Sequence, residues 1–121
     1  MTHRLTVKRI YEMPDAADGF RILVERLWAR GLTKEKAAVD LWLKDIAPSP
    51  DLRKWYGHEP ARWPEFQLRY RAELAANPEP VALLLEHLAQ GPVTLLYSAR
   101  DTERNSAQVL RKVLVEHLND R

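Results

Sequence analysis

The chain has 121 residues, 45% of them hydrophobic and 30% charged, with a net charge of +2. That length holds one domain with a real core and is too short for two, and the composition is that of a folded globule rather than a disordered or fibrous chain. No apolar run approaches the roughly 20 residues that cross a bilayer. The N-terminal stretch MTHRLTVKRIYE has no apolar signal core, and the lack of cysteine excludes disulfides, thiolate metal sites and a cysteine nucleophile. The expectation is a cytoplasmic, bacterial, single-domain protein. Thirteen arginines stand against six lysines. The rigid arginine fork suits an anion site, although GC-rich coding produces the same bias.

Leu5 to Ile10 alternates as a short strand, and the turn-rich PDAADG follows at 14–19. Phe20 to Val24 is apolar at nearly every position, as in a strand covered on both faces. Extended alternation places Arg26 and Trp28 on one face, with Gly31 closing the segment. Thr33 caps a brief helix over KEKAA. VDLWLKDIAPS reads as a third strand, apolar first and charged later at Lys44 and Asp45. Ser49 followed by Pro50 is a helix start, and that helix stops at Gly57. From Pro60 to Asn77, Trp63, Phe66, Tyr70 and Leu74 share one helical face, with Pro64 delaying or bending its first turn. Pro80 opens a further helix ended by Gly91-Pro92. The strand Val93–Tyr97 comes next, and a last helix carries Ala107, Leu110, Leu114 and Leu118 on one side. Strands alternating with helices predict an α/β fold: a small, largely parallel sheet of about four strands with helices on both faces.

Three strands share a design, apolar at the start and charged at the end. In open parallel sheets, ligands sit beyond the carboxyl ends of the strands. A parallel sheet therefore gathers Arg26, Arg30, Arg53 and Arg100 on one rim with Asp45, Asp101, His58 and Asn105. Helix starts after Ser49 and Asp101 add oriented N–H groups that favour anions. Arginine grips phosphate or carboxylate bidentately, and histidine is the side chain that titrates near neutrality. His58 is thus the candidate acid/base, Asp101 its orienting partner, and Arg30, Arg53 and Arg100 the anion holders, with Arg26 and Asp45 fixing the rim. Trp28 and Trp55 are placed to cover a planar part of a ligand.

Each residue also has a purely structural reading. Arg26 with Asp45, or Arg100 with Asp101, can be an ion pair that fixes loops. Ser49 reads more readily as a helix cap than as a nucleophile, Asp101 as a cap of the last helix, and His58 as a turn residue. Tryptophans are more often core than ligand platforms. The histidines at 3, 58, 87 and 117 show no metal spacing, and four glycines form no nucleotide-binding signature. No metal, flavin or haem is implied.

The stretches KRIYE, DGFRILVERLWARGLTKEKA, LWLKDIAPSPDLRKWYGHEPARWPEF, YRAEL and VTLLYSARDTERNSA together resemble the bacterial YeaO-like family of domains of unknown function (domain 488), from Lys8 to Leu114. The resemblance implies a small cytoplasmic α/β domain. Its characteristic polar positions fall on Arg26, Trp28, Arg30, Gly31, Asp45, Ser49, Arg53, Trp55, His58, Arg100, Asp101 and Asn105. There are departures from the family pattern. Ala29 stands where it has proline, Glu25 where it has aspartate, and Arg104-Asn105-Ser106-Ala107 where it reads His-Asn-His-Ala, so two imidazoles are missing.

The functional expectation is a small enzyme, or former enzyme, acting on an anionic small molecule such as a nucleotide or phosphorylated metabolite. The alternatives are a nucleic-acid-binding module using the same arginines and tryptophans, and a protein-interaction domain without catalysis.

Overall fold

A computed structural model describes residues 4–120 and places four strands in one all-parallel sheet. These are β1 (Leu5–Arg9), β2 (Phe20–Leu23), β3 (Leu41–Trp42) and β4 (Val93–Tyr97), in the order β1-β4-β2-β3. The helices are α1 (Lys34–Ala37), α2 (Pro50–Tyr56), α3 (Trp63–Ala76), α4 (Pro78–Gln90) and α5 (Ser106–Asn119). Among the described residues no helix is long and apolar enough to cross a membrane.

β4 is buried at all five positions because it lies between β1 and β2 with both faces covered. On one face Val93, Leu95 and Tyr97, with Leu5, Ile22 and Val24, meet the apolar sides of α2, α3, α4 and α5. On the other, Leu23 and Leu96 pack with Ile10, Ala29 and Ala37 under the segment that carries α1, sealed by Trp28, Leu32, Val39 and Trp42. Each fully buried leucine contributes about 1.5–3 kcal/mol, so β4 and its neighbours form the stable base on which the polar strand ends are held.

Local chemistry sets the helix ends. Ser49 Oγ accepts the Leu52 N–H at 3.1 Å, Pro50 fills the first turn of α2, and Gly57 closes it in the left-handed region at φ 52°. His58 follows at φ 57°. Pro64 falls in the first turn of α3, where its missing N–H has no helical partner to lose, and a 3-10 turn at Pro60–Arg62 precedes it. The same freedom explains why α4 starts at Pro78 rather than Pro80, since both prolines fit within one first turn. Tyr70 is buried in α3 and donates to the Ile46 carbonyl at 2.7 Å. Burial, reinforced by the Glu25 and Glu73 charges, pushes its hydroxyl well above the usual phenol range.

Two strands are shorter than their sequence pattern. β2 ends at Leu23, the Val24 N–H making a last bond to the Leu96 carbonyl at 3.2 Å before Glu25 turns to other partners. The Glu25 carbonyl accepts the Trp42 indole N–H at 2.6 Å, and the Glu25 carboxylate takes the Ser98 N–H at 2.9 Å. β3 pairs through Leu41 and Trp42 alone before the chain turns into a 3-10 segment at Lys44–Ile46. Alternation therefore does not place Arg26 and Trp28 on one strand face.

At the amino end of the sheet lies a buried ionic cluster. Arg21, 4% exposed, pairs with Asp18 and donates to the carbonyls of Ala37 at 2.7 Å and Ala38 at 3.0 Å. Lys8 Nζ reaches Asp18 at 3.1 Å, and Thr94 Oγ1 donates to the Asp18 carbonyl at 2.8 Å. Burial alone raises the Asp18 pKa. The Asp15 N–H together with the Lys8 and Arg21 cations outweighs burial and holds the carboxyl below its ordinary value.

Candidate functional site

Parallel strands deliver their carboxyl ends to one edge, so the residues that follow β2 and β4 meet above the sheet. There they face the loop that enters α2. Between them opens a cleft of about 920 Å³, lined by Glu25 after β2, Ser98 to Asp101 after β4, Pro48, Pro50, Asp51, Arg53, Lys54 and Tyr56 around α2, and Arg104 to Ser106 at the start of α5. His58 and Phe66 complete its wall. Pro48 and Ser49 line or brace the mouth of α2, but only Pro48 of the two faces the cleft.

Four cations line this space: Arg53 and Lys54 from α2, and Arg100 and Arg104 from the β4–α5 loop. Arg104 is paired, its Nε donating to Asp101 Oδ2 at 2.9 Å. Among the described residues, Arg53, Lys54 and Arg100 join no ion pair. All three are exposed, so each keeps its charge available to a ligand.

Asp101 organises the loop. Its Oδ1 accepts the N–H groups of Arg104 at 3.0 Å and Glu103 at 2.9 Å. These two bonds, with the Arg104 side chain, lower its pKa to about 2. Asn105, 5% exposed, caps α5 through Oδ1 to the Gln108 N–H at 3.1 Å and ties back to the Asp101 carbonyl at 3.0 Å. The cap of the last helix is therefore Asn105, and Asp101 pairs with Arg104 rather than Arg100. Both Asp101 oxygens are engaged within its own loop, while His58 stands exposed in the cleft lining without a bond to it.

Five of the residues singled out by sequence come together in the cleft: Arg53, His58, Arg100, Asp101 and Asn105. Six lie outside its lining. Arg26 sits beneath the loop before α2, with Nη2 3.4 Å from the Ala47 carbonyl and a buried Nε that lacks a partner. Trp28 donates to the Leu32 carbonyl at 2.7 Å and packs edge-on against Trp42. Arg30 is exposed, and its carbonyl receives the Tyr11 hydroxyl at 2.9 Å. Asp45 is exposed on the 3-10 segment, its carbonyl accepting from Asn77 at 3.0 Å, and it makes no ion pair with Arg26. Ser49 is a helix cap whose N–H and Oγ also donate to the Glu73 carboxylate at 2.9 and 2.6 Å. Trp55 carries the Arg69 guanidinium 4.2 Å from its ring centre, with Arg62 also over the ring. His3 lies outside the described residues.

Sequence reasoning passed over Glu25, Lys54, Tyr56 and Arg104 as site residues. Glu25 closes the apolar run Ile22-Leu23-Val24, and that abrupt change of polarity is the signal that marks it. Tyr56 has its hydroxyl pushed up by burial and by the Asp101 charge. Nothing in its spacing separates it from the core aromatics it touches, Phe66 at 4.6 Å and Trp63 at 5.8 Å between ring centres.

No solved structure matches the chain. The uncharacterized protein YeaO of Escherichia coli is 44% identical over 103 residues, which cover 85% of this chain and 90% of that protein. The uncharacterized proteins Mb3100c of Mycobacterium bovis and Rv3073c of Mycobacterium tuberculosis are each 40% identical over 111 residues, covering 92% of this chain and 93% of theirs. Residues 4–121 match the family described as the inactive DUF488-N3 subclade. A match of that extent, with relatives at these identities over nearly their full length, establishes that the chain belongs to the DUF488-N3i family.

Proposed function

We propose that the protein is a former enzyme that binds an anionic small molecule, a nucleotide or a phosphorylated metabolite, in the cleft above the sheet and does not turn it over. The observation that carries this reading is the trio Arg53, Lys54 and Arg100, which lines a 920 Å³ cleft at the carboxyl edge of a parallel sheet without a carboxylate partner among the described residues. Such an edge is where open α/β sheets take their ligands, and guanidinium groups bind phosphate through paired, charge-assisted hydrogen bonds.

Three features support binding without turnover. The family is described as inactive. Asp101, ionised down to about pH 2 and held by its own loop, is poorly suited to move a proton, and Arg104 and Ser106 occupy positions where the family pattern has imidazoles. A cytoplasmic location belongs to this reading, in keeping with a chain free of cysteine. The nucleic-acid alternative needs free aromatic faces, whereas Trp28 packs on Trp42 and Trp55 is covered by arginines.

The test is titration calorimetry of the protein with inorganic phosphate and adenosine monophosphate, beside Arg100→Ala and Arg53→Ala. Losing one charge-assisted contact weakens binding about 10- to 100-fold. Both side chains are exposed, so both variants keep the parent melting temperature. Absence of binding to either probe, or unfolding of the Arg100 variant, overturns the anion site. Conversion of the nucleotide by the parent protein overturns the claim of no turnover.

A further inference from the structure

The floor of the cleft carries a carboxylate that a purely anionic ligand does not explain. Glu25 lines the cleft, half-buried, just beyond the end of β2. Its Oε1 accepts from the Ser98 N–H at 2.9 Å and the Ser98 hydroxyl at 3.1 Å. Its Oε2 receives no hydrogen bond from any described residue, and Glu25 joins no ion pair among them although three unpaired cations share the cleft. The Tyr56 hydroxyl, on the same lining, also lacks a partner among the described residues. Glu25 Oε2 therefore presents an open acceptor to the cleft, where water or a ligand hydroxyl can serve it.

We infer that the ligand is a phosphate ester bearing free hydroxyl groups, a sugar phosphate or the ribose phosphate of a nucleotide. Its phosphate lies on Arg53, Lys54 and Arg100, and a hydroxyl donates to Glu25 Oε2. This rests on the anion-binding reading above and names the ligand class for that site. The lining sets four cations against the three carboxylates Glu25, Asp51 and Asp101. A second anionic group beside Glu25 is repelled by it, and an ammonium group is repelled by the cations. A neutral hydroxyl escapes both penalties and forms a short, strong bond to a carboxylate. Carboxylates just beyond parallel strands accept ribose hydroxyls in the same manner.

The experiment compares ribose 5-phosphate, adenosine monophosphate and ethyl phosphate by calorimetry on the parent protein, Glu25→Gln and Glu25→Asp. Glutamine keeps an oxygen for Ser98 and puts a donor where the free acceptor stood. Aspartate keeps the carboxylate. The parent binds ribose 5-phosphate at least about 10-fold more tightly than ethyl phosphate, the worth of one charge-assisted hydrogen bond. Glu25→Gln removes that margin while holding or raising the affinity for ethyl phosphate, and Glu25→Asp retains part of it. Adenosine monophosphate binding more tightly than ribose 5-phosphate identifies a nucleotide as the source of the ribose. The reverse order identifies a free sugar phosphate. Equal affinity of the parent for ribose 5-phosphate and ethyl phosphate, or a margin that survives Glu25→Gln, overturns the role of Glu25 and leaves the anion site standing. Failure of all three probes to bind the parent overturns both.

Discussion

Asp18→Asn tests the ionic anchor beneath the sheet. The substitution keeps the shape of the side chain and an oxygen for the Asp15 N–H, but leaves Arg21, 4% exposed, and the partly buried Lys8 facing a neutral amide. Removing one partner of a buried pair costs about 3–5 kcal/mol. The low end applies here, because Arg21 retains its bonds to the Ala37 and Ala38 carbonyls and Lys8 can turn outward to water. A loss of about 3 kcal/mol in a domain of this length lowers the melting temperature by roughly 12 °C. Glu116→Gln is the control: it breaks the exposed, solvent-screened pair with Arg71 and leaves stability nearly unchanged. Urea unfolding of the three proteins at pH 7 measures both values. A second arm uses pH. The Asp18 pKa is lowered by folding, so its stabilisation is complete above the unfolded carboxylate range and disappears as pH falls through the folded value. The parent therefore loses this contribution in acid, and Asp18→Asn has none to lose. An Asp18→Asn loss no larger than that of Glu116→Gln, or equal acid slopes for parent and variant, refutes the assignment of a buried, stabilising charge cluster.

Gly19→Ala is strongly destabilising, by about 2–4 kcal/mol in urea unfolding. A Cβ there collides with the Pro92 carbonyl oxygen, and the backbone sits at φ 67°; a loss under about 1 kcal/mol contradicts this. Asn105→Ala costs about 2 kcal/mol by the same assay, from a lost helix cap and an unpaired Asp101 carbonyl. Asn105→Asp, which keeps the cap, recovers part of the loss. The amide NMR signals of Glu103 and Arg104 report Asp101. Its lowered pKa keeps both N–H bonds intact through the ordinary carboxylate range, and they are lost only as pH falls toward about 2. A midpoint near the ordinary 3.8 shows that the loop does not hold the carboxylate as described.

Features governed by neighbouring residues were legible in the sequence. Ser49-Pro50 and Gly57 bound α2, and Thr33 caps α1, because capping depends on groups three or four positions away. The order of strands and helices was legible too, and with it the parallel sheet. Five rim residues followed from that topology alone. The remaining rim residues were not, since their positions depend on partners distant in the chain. Alternation extends β2 through Arg26, Trp28 and Arg30, whereas the strand stops at Leu23 and Glu25 bonds to Ser98, 73 positions away, and to the indole of Trp42. Arg21 reads as a stray charge in an apolar run. Its burial is tolerable only because Asp18, Ala37 and Ala38 converge on its guanidinium from separate segments.

Hydrophobic periodicity and capping act over one or two turns, so local residues are enough to set the α/β class, the ends of most helices and the edge on which polar residues collect. Which of those polar residues face a common space depends on long-range packing. It set Arg53, His58 and Arg100 around one cleft with Glu25 on its floor, gave Ser49 to Glu73 and Trp55 to Arg69, and turned Asp101 toward Arg104. A charged side chain takes whichever partner lies within a few ångströms after the sheet has closed, and chain spacing does not encode that distance.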